Sequence, residues 1–186
     1  MGSNYYTDPA AFLIQTITGL YLMAVMLRFI LQTVRGDFHN PIGQFLITVP
    51  NPLLLPLRRV VPVWRRLDLA SLVLILLLQI AALLLIAVIH GAIPPARTLL
   101  ALTLFELLSL LFNLYFVTIL IEVILSWIGQ NNHPVRRVLW QINAPLLSPL
   151  RRLLPAISGI DLSPLLAILA IQLAKMVVLP PLLHLL

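Results

Sequence analysis

Apolar residues run along this chain in four long blocks, separated by two polar, proline-bearing connections and one tight turn. The blocks cover about residues 11–34, 69–89, 99–128 and 162–183. Each reaches the roughly 20 apolar residues that a helix needs to cross a hydrocarbon core about 30 Å thick, so the pattern predicts four transmembrane helices. The turn HGAIPPAR at 90–97 is too short to separate spans two and three, which makes them antiparallel neighbours. The first block reads as a retained span rather than a cleavable leader: its flank MGSNYYTDPA carries Asp8 and no positive charge, and the first arginine, Arg28, lies inside the block.

The chain is also two copies of one unit, expected at residues 1–93 and 94–186. Shifting 41–79 by 93 residues makes sixteen of thirty-nine positions identical, and eight of eleven between 52–62 (PLLLPLRRVVP) and 145–155 (PLLSPLRRLLP). Asp68 falls on Asp161 and Gln79 on Gln172; with one residue gained, Tyr21 falls on Tyr115 and Ile30 on Ile124. Such a period marks duplication of a structural unit. Each unit holds two spans, an even number, so the copies run parallel rather than inverted.

Composition names the solvent. At 61% hydrophobic and 10% charged, with mean hydropathy +1.05, the chain lacks the roughly 25% charged residues that cover a soluble domain. It has no cysteine, which excludes a disulfide scaffold and thiolate metal sites. The net charge of +6 would suggest nucleic acid in a soluble protein, but here the arginines follow the membrane rule. Arg35, Arg58, Arg59, Arg65 and Arg66 crowd the first long connection, Arg136, Arg137, Arg151 and Arg152 the second, and only Arg97 lies on the other side. Positive-inside then puts both connections in the cytoplasm and both termini outside, with the lipid bilayer, not nucleic acid, as the partner.

Inside the connections, Asn40-Pro41 and His133-Pro134 read as helix starts, with second starts at Pro52 and Pro145. Pro56 and Pro149 sit four residues on, where only a short first turn tolerates them. The segment 135–142 is expected to be amphipathic, with Arg136 and Arg137 on one side and Val138, Leu139, Trp140 and Ile142 toward lipid; Trp64 and Trp140 suit the interface. Arg58, Arg59, Arg151 and Arg152, with Pro52, Pro56, Pro145 and Pro149, are candidate contacts for anionic lipid headgroups or a partner. Positive-inside alone explains the arginines, whereas recurrence of the whole block, prolines included, adds the recognition reading. Asp68 and Asp161 read as caps of spans two and four.

Arg28, Glu106, Glu122 and Lys175 lie within spans, where an ionised group needs a partner. Matching depth pairs Arg28 with Glu122, which a 94-residue shift superposes, and Glu106 with Lys175. Glu106 and Glu122 stand about 160° apart on one helix, so span three holds span one by one face and span four by the other. Ser109, Asn113, Gln79 and Gln172 extend these pairs into a polar seam. It has two readings: structural glue between helices, or a route for ions or protons.

No catalytic reading survives. His39, His90, His133 and His184 are scattered, none of HExxH, GxxxxGK[ST], GxSxG or GxGxxG occurs, and seven glycines leave no phosphate-cradling loop. No cofactor or metal is expected.

Asn40-Pro41, Thr48 with Val49-Pro50, the 52–62 block, Asp68, Pro134, the 145–155 block and Asp161 together resemble the YggT (YlmG) family of bacterial and plastid membrane proteins, over nearly the whole chain. The second copy departs from the first at Asn143-Ala144, where the first has Pro50-Asn51. The resemblance implies the two-copy form of Gram-negative bacteria and an inner-membrane location. It also implies association with hyperosmotic tolerance and potassium uptake, or with cell division and with haem attachment in cytochrome assembly. The expectation is an all-α, four-span, non-enzymatic protein of osmotic and potassium homeostasis. The alternative is a scaffold or assembly factor for division or cytochrome maturation, docking a membrane-protein partner or a second copy.

Overall fold

The computed structural model describes residues 7–61, 67–128, 134–153 and 161–183; Pro62, Trp64, Arg65, Arg66, His133, Pro155 and His184 lie outside them. The described chain is all-α: α1 (Thr7–Thr33), α2 (Pro41–Thr48), α3 (Asn51–Arg58), α4 (Leu69–Ile89), α5 (Ala96–Trp127), α6 (Pro134–Leu153) and α7 (Ser163–Leu183). Helices α1, α4, α5 and α7 are long and apolar enough to cross a membrane, and they match the four expected spans.

Helix α1 packs on α4, and α5 on α7; α5 also touches α1 and α4, joining the two copies. The larger core gathers Leu22, Val25 and Leu31 of α1, Leu46 of α2, Leu54 of α3 and Leu74 of α4, with Leu114 of α5 and Ile142 of α6. A smaller one holds Ile119, Leu147, Ala167 and Ile171 from α5, α6 and α7. Outside these cores the spans stay oily. Leu77, Leu85 and Val88 on α4, and Leu165, Leu173 and Met176 on α7, are exposed, far beyond the apolar patch a soluble monomer shows. Lipid is the medium that fits them.

The first connection folds as its sequence predicts. Asn40 caps α2, its Oδ1 accepting the Gly43 N–H at 2.8 Å while its Nδ2 donates to Asp37 O at 2.9 Å. Pro41 takes the first helical position, where a missing N–H costs nothing. A second start follows at Asn51-Pro52.

The second connection departs from expectation. Pro145 begins no helix: α6 runs unbroken through Pro145 and Pro149. The first copy breaks at Pro50, which has no N–H to carry α2 forward; the second has Asn143 there, which does. Nor do Val138, Leu139 and Ile142 face lipid. All three are buried, because α6 lies against α1, α2, α5 and α7, and only Trp140 of that set is exposed. The Gln141 Oε1 accepts the Asp37 N–H at 2.9 Å, tying the second copy's elbow to the loop that precedes α2. The two elbows therefore sit at one end of the bundle.

Gly43 is where α2 meets this loop most closely. A Cβ there would lie 2.6 Å from Phe38 Cα, whereas one at Gly19 in α1 would meet nothing within 4 Å. Gly43→Ala should therefore cost about 1–3 kcal/mol, and Gly19→Ala should be neutral or stabilising by up to about 1 kcal/mol through helix propensity. Melting of the two variants in mild detergent checks the contrast.

Candidate functional site

In each copy one charged residue of the first span reaches the elbow that follows. Arg28, 5% exposed, donates Nη1 hydrogen bonds to Ile47 O and to Asn51 Oδ1, both at 2.8 Å. Tyr21 OH donates to Val49 O at 3.3 Å. These carbonyls belong to the end of α2, where the last C=O groups have no intrahelical partner and a cation meets the negative end of the dipole.

The second copy has no such end, because α6 is continuous. Its equivalent residue, Glu122 (8% exposed), instead accepts from Asn143 Nδ2 at 2.7 Å, and Asn143 Oδ1 accepts from Thr118 Oγ1 at 2.8 Å. An asparagine amide offers both a donor and an acceptor. One residue type can therefore hold an arginine in one copy and a glutamate in the other.

The expected Arg28–Glu122 pair is thus replaced by two local brackets. The expected Glu106–Lys175 pair is replaced as well. Lys175 Nζ donates to Asn113 Oδ1 at 2.8 Å, while Glu106 lines a separate cavity of about 80 Å³ between α1, α4 and α5 with Gln15, Thr18, Gly19 and Gln79. Gln172, half-buried on α7, does not line that cavity. The polar residues form clusters rather than one seam.

The arginine pairs divide in the same way in both copies. Arg58 Nη2 bonds to Asp68 Oδ2 and, at 3.2 Å, to Gln32 Oε1. Arg151 Nε lies 2.9 Å from Asp161 Oδ2, and its Nη2 lies 3.6 Å from Glu122 Oε1. Each first arginine ties the elbow to the start of the following span. Arg59 and Arg152 are exposed, as are Pro52 and Pro56. Pro145 and Pro149 border an apolar cavity of about 430 Å³ with Phe112, Tyr115 and Ala167.

The expected caps are met differently in the two copies. Asp161 accepts the Ser163 N–H at 2.9 Å and its hydroxyl at 2.6 Å. Asp68 makes no comparable cap hydrogen bond; its carboxylate goes mainly to Arg58 and the Ser71 hydroxyl (2.9 Å), with the Ser71 backbone N–H adding less. Burial pushes the Asp68 carboxyl up, but hydrogen bonds from Arg58 and Ser71 outweigh it and hold it below its ordinary value.

Gln32, Asn51, Thr118 and Asn143 escape sequence reasoning. The signal was present but displaced: Asn51 and Asn143 are 92 residues apart, one less than the shift that aligns their neighbours.

A family model described as CCB3/YggT matches residues 7–89 and again 101–182. An uncharacterized Pseudomonas aeruginosa protein is 43% identical over 172 residues, spanning 91% of this chain and 87% of that relative. A Vibrio alginolyticus protein is 37% identical over 171 residues, 90% of this chain and 92% of its own. The Escherichia coli K12 protein named YggT, also uncharacterized, is 36% identical over 169 residues, 91% and 88%. No solved structure matches.

Two outcomes follow. Arg28→Ala and Glu122→Gln should each destabilise the detergent-solubilised protein by about 1–3 kcal/mol. Their effects should add within about 0.5 kcal/mol, because the two groups share no partner; a double-mutant cycle on thermal or denaturant unfolding measures the coupling. Asp68, depressed in the fold, contributes stability that is present above its unfolded pKa of about 3.9 and lost as pH falls through the folded value. Asp68→Asn should therefore flatten the acid limb of a stability–pH curve while leaving its slope above pH about 5 unchanged.

Proposed function

The chain belongs to the CCB3/YggT family of multi-pass membrane proteins, and on that premise we propose that it works without catalysis, as a rigid platform on which α2, α3 and α6 dock a membrane-protein partner. This is the role of a scaffold or assembly factor. One observation carries it: the ionised side chains near the elbows, Arg28, Glu122, Arg58 and Arg151, are spent on fixing those short helices to the spans. On this reading the platform faces the cytoplasm from a bacterial inner membrane, with both termini periplasmic. The support is charge: Arg35, Arg58, Arg59, Arg136, Arg137, Arg151 and Arg152 lie at the elbow end against Arg97 at the other.

A part in osmotic tolerance and potassium homeostasis through an ion path is the second reading. The cavity of Gln15, Gln79 and Glu106 favours it, since ionisable groups inside a membrane mark such paths. It takes second place because Lys175, Asn113 and Gln172 do not line that cavity.

The platform reading expects purified protein in liposomes to pass potassium no faster than empty vesicles. It also expects Asn51→Ala with Asn143→Ala, which releases both brackets and leaves every charge in place, to lose the membrane proteins that crosslink to the wild type in its native membrane, at unchanged protein level. Glu106→Gln should not. Potassium flux that falls with Glu106→Gln would establish the ion path instead.

A further inference from the structure

The two copies carry equivalent ion pairs in unequal surroundings. In the first, Asp68 is sealed, its side chain 0% exposed, and Gln32 reaches across to bond Arg58. In the second, Asp161 is 40% exposed, and the Arg151–Asp161 pair opens onto a pocket of about 790 Å³ between α5, α6 and α7.

The sequence explains the difference. The residue equivalent to Gln32 is Ser126, too short to reach the pair. The residues equivalent to Gly43, Gln44 and Ile47 are Arg136, Arg137 and Trp140, and all four of these side chains line the pocket. Among the described residues, the first copy places a glutamine on its arginine here, and the second has a serine in a pocket rimmed by two arginines and an aromatic ring.

We propose that this pocket binds a phosphate-class anion through Arg136 and Arg137. Its charges sort into two sets. Arg151 stands between Asp161 at 2.9 Å and Glu122 at 3.6 Å, so those two carboxylates are committed to it and it buttresses the wall. Arg136 and Arg137 line the same pocket, so three guanidinium groups face two carboxylates there and the lining is net positive. A planar guanidinium presents paired N–H groups that match two phosphate oxygens, and both of these arginines line the one pocket. Trp127 and Trp140, 84% and 53% exposed at the mouth, are the residue type that settles at headgroup depth. A lipid headgroup and a free phosphate ester present the same oxyanion. This site goes beyond the platform reading and stands if that reading fails.

The test uses the full chain in neutral detergent. It is titrated with phosphatidylglycerol in mixed micelles, with phosphatidylcholine, and with inorganic phosphate, following thermal protection and the lipid retained by native mass spectrometry. Wild type should be protected, with one anion held per chain. Arg136→Gln with Arg137→Gln should weaken binding by about tenfold or more, and Ser126→Gln, which gives the second copy the first copy's plug, should weaken it with both arginines in place. Arg59→Gln with Arg152→Gln, which removes the same charge at the same end but outside the pocket, should change it less than about twofold. Protection by phosphatidylglycerol alone identifies a headgroup site, and protection by inorganic phosphate as well identifies a free-anion site. Equal loss in the two double variants, or no protection of the wild type by either anion, overturns the proposal. Should the Arg136/Arg137 variant fail to fold, Ser126→Gln decides: unchanged binding there overturns it too.

Discussion

A polypeptide that bends at the edge of a membrane must find partners for the backbone groups the bend exposes, and that requirement organises this molecule. In hydrocarbon an unpaired carbonyl or amide costs several kcal/mol. The first copy bends at Pro50, and Arg28 from the neighbouring span supplies the donors that the end of α2 lacks. The second copy carries α6 through the equivalent position and holds a glutamate there, bonded to Asn143.

From those brackets the rest of the elbow follows. With α2 and α3 pinned to α1, Arg58 comes within reach of Asp68, and the parallel geometry recurs at Arg151 and Asp161. These ion pairs staple each elbow to the helix that follows it. Duplication supplied two equivalent frames, and divergence then worked at single positions within them. Where the first copy has Gln32 bonded to Arg58, the second has Ser126 in the lining of a basic-rimmed pocket, and the carboxylate of its staple is more exposed.

The four spans, the duplication, the start of α2 and the shared side of the two elbows were legible in the sequence, because hydropathy over 20 residues and proline at helix starts are local signals that tertiary contacts seldom override. The partners of the buried charges were not. Depth and repeat symmetry pointed to Arg28 with Glu122, but depth is one coordinate, and the groups actually reached, Ile47 O, Asn51 and Asn143, lie on the elbow helices, whose docking no periodicity encodes. The burial of Val138, Leu139 and Ile142 was illegible for the same reason: an amphipathic face looks alike whether it meets lipid or another helix.

By itself, then, the order of residues determined the solvent, the number of crossings, the parallel repeat and the end of the bundle that carries the arginines, since each depends on summed transfer energy or on backbone chemistry at a known position. Which charge meets which partner, which face of α6 is hidden, and which of two equivalent ion pairs stands open were decided only when the helices packed. Those outcomes turn on distances of about 3 Å between segments far apart in the chain, and at that scale a single side chain such as Gln32 or Ser126 settles whether a space is filled or left open.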